Sequence, residues 1–475
     1  MKKKQFTLEN QLRFAKLSGD YNPIHIDKIA ARRMIFGMPI VHGIHPLLWA
    51  LDIWLQNANE KISISSIKVF FEKPIGLDEE ISLSINNDDQ RRVRMTLLGS
   101  NLQVKSTIIF TWERSKIEHL SIPFNSFPDK SSSCAVSDQE IMGKSGELDL
   151  YLNVQVAKEI FPNLLNRVSP LQVAVLLGIS RLVGVECPGL HSLFSELSLE
   201  CCMEDRDCKT LKYEVKQFKR KMSLAFISVT SPIMNGNIRA FLRPKTQKQD
   251  SYKKIQKLVD GTEFIGWCVI VIGGSRGLGE VCAKILAAGG AKVIITYRYG
   301  LEDANEIVEE INTNSGTAKC MYYDVLAMKQ KAFDSSQINW HPTHLFYFAT
   351  PYISSGKTGG FSTSVFNNFC NYYVVGFMKC TNLFLKSGLR YVFYPSSIFI
   401  DDVPMNMGEY TSSKIAGEML CQYLEKNNGG LKIYKPRLPR MSTDQTVSLL
   451  PLNNEDPVSV MLHHLKKFKN IIINN

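Results

Sequence analysis

Residues 14 to 31 read F-A-K-L-S-G-D-Y-N-P-I-H-I-D-K-I-A-A, and no other stretch constrains the chain as tightly. An aromatic and apolar helical run ends at Ser18-Gly19. Asp20 and His25 then follow, five positions apart across a Gly/Asn/Pro turn. The ring of Pro23 disfavours the α region for Asn22, so the backbone must turn between the two polar groups. A carboxylate and an imidazole held on one rigid turn can face a single pocket and act as a proton-transfer pair.

These positions match the signature of the MaoC-like (R)-specific enoyl-CoA hydratases, a hot-dog family. The pattern is filled by Phe14, Leu17, Ser18, Gly19, Asp20, Asn22, Pro23, Ile24, His25 and, six positions on, Ala31. The continuation F-G-M-P-I-V-H-G, Phe36 to Gly43, resembles the family's entry into its central helix. The resemblance implies that Asp20 and His25 share one water and move protons between C2 and C3 of an acyl thioester. Asn22 would support the turn. The backbone N–H of Gly43, near the helix N-terminus, would support the thioester enolate. The H-x-x-H look of His42 and His45 reads as this helix entry rather than a metal site. No metal and no cofactor are expected for this half.

At 475 residues the chain is too long for one core and suits several domains. A formal net charge of +11 fits anionic partners such as CoA phosphates or an acidic carrier protein. No compact Lys/Arg block with interleaved aromatics points to nucleic acid. The 11 cysteines are scattered without a C-x-x-C pair; Cys201-Cys202 and Cys208 lack partners for a zinc pattern, and His341, His344, His463 and His464 lack metal-spaced companions. The basic start has no apolar core of a secretory signal, and the apolar run Leu171 to Val185 contains Arg181 and is short of a membrane span. A reducing cytoplasm fits these features.

Three blocks are expected. Residues 1–120 carry the signature turn, a helix at Ile44 to Gln56, and strands at Ile62 to Glu72, Glu80 to Asn86, Arg91 to Leu98 and Gln103 to Trp112. A Ser/Asp/Lys-rich linker spans 121–150. Residues 151–245 repeat the order without the motif: a helix at Pro170 to Glu186, capped by Ser169, then strands at Ser192 to Glu200, Thr210 to Phe218, Ser223 to Thr230 and Gly236 to Phe241. Helix-then-strands twice suggests a double hot dog of class α+β, the second copy non-catalytic and completing an acyl tunnel by analogy with other double hot-dog hydratases. A second linker, 246–260, precedes an α/β block at 261–475 with the strand–helix alternation of a doubly wound parallel sheet, the Rossmann arrangement.

In that last block, strand Cys268 to Ile272 runs into G-G-S-R-G-L-G, Gly273 to Gly279, then a helix. Glycines let a backbone approach a pyrophosphate at a helix N-terminus. Tyr410 and Lys414 form Y-x-x-x-K on one helical face, and Ser397 lies thirteen residues before Tyr410. This set resembles the short-chain dehydrogenase/reductases. The resemblance implies cofactor contacts from Gly273, Ser275, Arg276, Gly277, Gly279, Arg298, Asp324 and Lys414. Arg276 and Arg298 would pair with a 2′-phosphate and favour NADPH, and Asp324 would touch adenine. Ser397 would bind the substrate carbonyl, Tyr410 would deliver the proton with its pKa lowered by the Lys414 ammonium, and Lys414 would hold the nicotinamide ribose. The chain departs from the family at Ile272 (usually Thr), at F-A-T-P (Phe348 to Pro351), at Tyr373, where the tetrad Asn belongs, with Asn371 out of register, and at Lys435 to Arg440.

The expectation is a bifunctional acyl-thioester enzyme, a lyase and oxidoreductase of fatty-acid type. A 3-ketoacyl reductase half would make the 3-hydroxyacyl thioester that the dehydratase half converts to the trans-2-enoyl product. A homodimer is an expected assembly. The alternatives are a hydratase with a degenerate nucleotide-binding domain, and a non-catalytic acyl-carrier docking protein.

Overall fold

The structure is a computed structural model that describes residues 2–58, 60–87, 91–100, 102–115, 126–202, 209–327, 339–353, 360–449 and 452–473. Cys208 and the first part of the 121–150 stretch lie outside these. Two compact units emerge: Met1–Lys245 with Ser448–Pro451, and Thr246–Val447 with Leu452–Asn475. Among the described residues no helix is long and apolar enough to cross a membrane.

The first unit is one ten-stranded antiparallel sheet. Its strands are β1 (Lys2–Gln5), β2 (Ile62–Phe71), β3 (Glu80–Asn87), β4 (Arg92–Gly99), β5 (Val104–Arg114), β6 (Ser145–Asp149), β7 (Ser192–Cys201), β8 (Thr210–Lys219), β9 (Leu224–Thr230) and β10 (Met234–Leu242). The order is β1-β3-β4-β5-β2-β7-β10-β9-β8-β6. It reads as two five-stranded halves of the same internal order, joined where β2 pairs with β7 at Ile67↔Leu199. Alternation is plain in β4: Val93, Met95 and Leu97 are buried while Arg92 and Arg94 are exposed.

Each half has one apolar helix, α3 (Ile44–Leu55) and α4 (Pro170–Arg181), and both share a single core with the inner faces of the strands. The turn that carries the motif follows α1 (Leu8–Ser18). Thr7 and Asn10 form a capping box at its start, and Gly19 ends it at φ +78°, a left-handed conformation that suits glycine.

Several expectations change. Ser145–Asp149, inside the stretch read as linker, pairs with β8 as an edge strand, and the basic N-terminus pairs with β3. The second linker contains a helical turn, Tyr252–Gln256, whose Tyr252 and Ile255 are buried. Ser169 stands at the α4 N-cap but makes no capping bond; Pro170 alone fixes that start. The expected helix to Glu186 is α-helical only to Arg181, then opens into a π-turn over Leu182–Glu186.

The second unit is a six-stranded parallel sheet built from β11 (Cys268–Ile272), β12 (Lys292–Tyr297), β13 (Thr317–Tyr322), β14 (His344–Tyr347), β15 (Tyr391–Phe393) and β16 (Lys432–Tyr434), in the order β13-β12-β11-β14-β15-β16. Such apolar strands need cover on both faces. One face packs α5 (Gly277–Ala288) and the last helix, Pro457–Ile473. The other packs Phe377, Phe384, Cys421 and Leu424 from helix Phe377–Leu385 and from α6 (Gly408–Asn427).

Gly236 of β10 sits so close to β7 that a Cβ would lie 2.0 Å from the Ser198 carbonyl oxygen. Backbone cannot yield there as a side chain can. Gly236→Ala is therefore expected to cost about 1–3 kcal/mol or more. A lowered midpoint of urea unfolding checks this; an unchanged midpoint would show that the two strands separate freely.

Candidate active site

Asp20 is 2% exposed, and the turn around it is held from many sides. Its Oδ1 accepts from the Asn22 backbone N–H at 3.2 Å, and its Oδ2 accepts from the Ser180 hydroxyl of α4 at 2.9 Å. Asn22 caps the short helix α2 (Pro23–Ile26), accepting from the Ile24 N–H at 3.2 Å. Its amide donates to the carbonyls of Gly184, Gly189 and Leu190 at 2.9, 3.2 and 3.3 Å. The segment between α4 and β7 thus grips the turn.

His25 lies on α2 and its Nδ1 donates to the Ile40 carbonyl at 2.9 Å. That bond places the ring proton on Nδ1 and leaves Nε2 as a bare base. Asp20, His25 and His42 present polar side-chain atoms within 4.8 Å of one another. Burial pushes the Asp20 carboxyl up to about 7, against the bonds from Ser180 and Asn22. Burial pushes the His25 imidazole down to about 4, opposed by the Ile40 bond and reinforced by the Arg243 guanidinium. At neutral pH the imidazole is neutral and a large share of the carboxyl is protonated, so one group can accept a proton while the other gives one.

The three ligand-type side chains do not make a ready metal centre. His42 has Nδ1 at 2.8 Å from Gln11 Oε1 and Nε2 at 2.9 Å from the Asp20 carbonyl. Gln11 is oriented by the His42 backbone N–H, which donates to Oε1 at 3.1 Å, and by its own Nε2, 3.2 Å from His45 Nδ1. Both His42 ring nitrogens are therefore committed, and its ring stacks on His25 at 3.9 Å between centroids. A cavity of about 250 Å³ opens beside the pair, lined by Asp20, His25, Gly43, Phe71, Val183 and Phe194 among others. Gly43 stands at the N-cap of α3 and lines this cavity.

Sequence reasoning missed Ser180 and Gly184. A Cβ on Gly184 would lie 2.1 Å from Asp20 Oδ1, so only glycine fits beside the carboxylate. The signal was faint: an isolated Gly and Ser in an apolar helix.

In the second unit, the glycine loop joins β11 to α5. Gly273 and Gly277 have φ of +77° and +58°, and a Cβ on Gly279 would meet the Gly273 carbonyl oxygen at 2.3 Å. The loop backbone is thus kept free of side chains at the N-terminus of α5. Ile272 leaves no hydroxyl before the loop, but Thr296 on β12 accepts from the Gly273 N–H at 3.0 Å. Ser275 is buried in the loop.

The two expected phosphate-binding arginines are each paired with a carboxylate. Arg276 Nη1 lies 2.9 Å from Asp444, and Arg298 Nε lies 2.9 Å from Asp324. Arg298 also donates to the Tyr372 hydroxyl at 3.1 Å.

Ser397 lies near enough to Tyr410 for its hydroxyl to oppose the rise of the phenol's pKa. Lys414 does not serve Tyr410 as expected. Its ammonium donates to the Pro395 carbonyl at 2.8 Å and sits 4.0 Å over the Tyr373 ring, against 5.8 Å to the Tyr410 ring. Burial dominates both groups: it pushes the Tyr410 phenol up to about 12 and the Lys414 ammonium down to about 7. The expected lowering of the Tyr410 pKa is thus reversed. Tyr373, at the tetrad Asn position, is buried in a π-turn, Asn371–Gly376, and its hydroxyl meets Thr350 at 2.6 Å, while Asn371 is exposed.

Comparison with known proteins matches a part of each unit. A family model described as "MaoC like domain" matches residues 1–106, and one described as "short chain dehydrogenase" matches residues 267–434. The chain joins a MaoC-like domain to a short-chain dehydrogenase domain. A probable tetrahydroxynaphthalene reductase of Zymoseptoria tritici is 38% identical over 72 residues, 15% of this chain and 27% of that protein, so the chain spans about a quarter of that curated relative's length. A short chain dehydrogenase from Burkholderia cenocepacia in complex with NADP is 20% identical, covering 43% of this chain and 91% of that one at a TM-score of 0.39. A short chain dehydrogenase from Escherichia coli complexed with NADPH is 19% identical, covering 44% and 92% at 0.40. The MaoC-like match holds Asp20, His25 and Gly43 but ends before Ser180 and Gly184. The dehydrogenase match holds the glycine loop, Ser397, Tyr410 and Lys414 but ends before Asp444.

The Ser180 hydroxyl stabilises the ionised form of Asp20. Ser180→Ala is expected to move the Asp20 titration to higher pH, read from the carboxylic-acid band in difference infrared spectra against Asp20→Asn. A titration moved to lower pH would show that the bond does not act on the ionised form.

Proposed function

We propose that the chain is a bifunctional acyl-thioester enzyme: an (R)-specific 3-hydroxyacyl dehydratase/enoyl hydratase coupled to an NADPH-dependent 3-ketoacyl reductase. The proposed organisation is a catalytic hot-dog domain at 1–120, a non-catalytic hot-dog repeat that begins with Ser145–Asp149 and runs to residue 245, completing a double hot dog, and a Rossmann reductase domain whose first helical turn is Tyr252–Gln256. The observation that carries the hydratase reading is the convergence of Asp20 and His25 beside one cavity in complementary protonation states.

In hydration, His25 Nε2 takes a proton from water as the water oxygen attacks C3. The Asp20 acid gives its proton to C2. The proton on His25 then returns to Asp20, and both groups are reset. The enolate oxygen formed in between is stabilised by the Gly43 N–H at the α3 N-terminus. Dehydration is the reverse path.

The glycine cradle fits a dinucleotide. Gly273, Ser275, Gly277 and Gly279 would hold its diphosphate, Arg276 and Arg298 a 2′-phosphate, Asp324 the adenine and Lys414 the nicotinamide ribose. Bound NADPH supplies a hydride. Ser397 orients the ketone oxygen, and the Tyr410 hydroxyl protonates it.

A second reading, a hydratase whose nucleotide domain binds without turnover, is favoured by particular contacts. Tyr373 fills the tetrad Asn position, Lys414 is held by Pro395 and Tyr373, and each arginine already has a carboxylate partner. Exposed Ile415, Met419 and Tyr423 form an i, i+4, i+8 stripe on α6, which supports pairing of two copies through this helix.

The hydration rate should be bell-shaped in pH. The raised Asp20 carboxyl keeps its proton until about 7, so kcat/KM falls as pH rises through that value. The lowered His25 stays neutral down to about 4, so the acid limb lies there. Asp20→Asn and His25→Ala should each lose about 10²–10⁴-fold in crotonyl-CoA hydration. Full activity in both would remove the reading.

For the reductase, NADPH oxidation with a 3-ketoacyl thioester should vanish in Tyr410→Phe. Nucleotide binding with no oxidation in the unmodified protein would decide for the second reading.

A further inference from the structure

Arg243 follows the last strand of the first unit, and its backbone N–H continues the pairing with a bond to the His191 carbonyl at 2.7 Å. Alternation along the strand starts its side chain on the face of Phe241; Phe241 lines the cavity beside Asp20 and His25, and Arg243 itself stands outside that lining. The guanidinium Nη2 donates to the Leu190 carbonyl, the acceptor that the Asn22 amide also reaches. Arg243 therefore sits directly behind the turn that carries the proton-transfer pair.

This cation is out of place by ordinary rules. It is 2% exposed, and its Nε and Nη1 are buried with no hydrogen-bond partner. Among the described residues no carboxylate pairs with it; burial acts alone on it and draws its pKa down to about 10. The neighbouring His191 has a buried Nδ1 that is also without a partner. Arg243 repels protons from both His191 and His25, and exposed Lys245 adds to the field at His191. Lys245, His191, Arg243 and His25 thus form a basic file from the surface to the catalytic pair. A buried charge without a counter-ion is destabilising unless something of opposite charge arrives. Three buried polar atoms in one place that the chain itself does not satisfy call for a partner from outside it.

We propose that Arg243 and His191 form an anion-binding site for a charged group of the thioester substrate, either a phosphate of the pantetheine arm or a carboxylate on the acyl chain. The guanidinium keeps N–H donors on Nε and Nη1, on two different edges, each able to give one charge-assisted hydrogen bond to a carboxylate or phosphate oxygen. The site would select substrates by their second charge and fix the thioester relative to Asp20 and His25. This inference rests on the hydratase reading above.

The experiment compares unmodified protein, Arg243→Gln and Arg243→Lys on three enoyl thioesters: crotonyl-CoA, crotonyl-pantetheine without phosphate, and the pantetheine thioester of a carboxylate-ended enoyl chain. Melting curves exclude variants that fail to fold. Arg243→Gln is expected to lose about 10–100-fold in kcat/KM on an anion-bearing substrate, the loss of one charged hydrogen-bond pair, and under about twofold on crotonyl-pantetheine. Arg243→Lys should recover part of the loss.

Loss confined to crotonyl-CoA identifies the phosphate, and loss confined to the carboxylate-ended chain identifies the acyl group. Equal loss on all three, or none on any, overturns the proposal. If the unmodified protein hydrates none of them, the hydratase reading has failed by itself. The anion site is then judged on melting temperature alone: inorganic phosphate or glutarate must raise it in the unmodified protein and not in Arg243→Gln, and an equal shift in both refutes the site.

Discussion

Asp20 is a carboxyl group with almost no water, and its neighbours follow from that fact. A buried carboxylate needs donors, and it finds them in the Ser180 hydroxyl and the Asn22 N–H. Two donors are too few to offset burial, so the group stays poised near neutrality instead of fully ionised. That poise is useful for an acid that must both give and regain a proton. It also constrains the architecture. The Asn22 amide spends its donors on carbonyls of the 184–190 segment, and Gly184 must lack a side chain to admit the carboxylate. The π-turn at Leu182–Glu186 lies in this segment, where a regular helix would direct Gly184 elsewhere.

The dehydrogenase domain solves a similar electrostatic problem in the opposite way. There the cations are paired before any nucleotide arrives: Arg276 with Asp444, Arg298 with Asp324. A 2′-phosphate would have to compete with a carboxylate for either guanidinium. The gain from such a contact is therefore the difference between two ion pairs, one of them partly buried, rather than the strength of a new one. Lys414 shows the same economy. Without an Asn at position 373, its buried ammonium is satisfied by a carbonyl and an aromatic face. Three tyrosines surround it, and burial pushes the pKa of each phenol up.

Much of this was legible in the sequence where local rules act. Strands with alternating side chains, β4 above all, fell within a residue or two of their expected bounds, as did the helix Ile44–Leu55. The Asp20 turn was legible because Pro23 and Gly19 dictate backbone conformation locally. What escaped depends on contacts across long separations. Ser145–Asp149 is polar and becomes a strand only because β8 offers an unpaired edge. Ser180 lies 160 positions from Asp20, and no local pattern marks it as a partner. The reversal at Tyr410 has the same origin. An i, i+4 spacing places Tyr410 and Lys414 on one face, but it does not tell which neighbour takes the ammonium, and Tyr373 was nearer.

The sheet of the first unit has two halves of one design, yet its chemistry is lopsided, and packing supplies the reason. In the first half the chain between α1 and α3 carries the polar turn, and His42 and Gln11 tie that turn to both helices through buried hydrogen bonds. In the second half, α4 buries every residue from Leu171 to Arg181, and its start is fixed by Pro170 without a polar cap. A helix so enclosed cannot present a proton-transfer pair to solvent, but it can hold one that belongs to its neighbour. Rigidity bought in one repeat is spent in the other: the apolar helix fixes Ser180, Ser180 fixes Asp20, and the cavity beside Asp20 can then stay open without the turn collapsing into it.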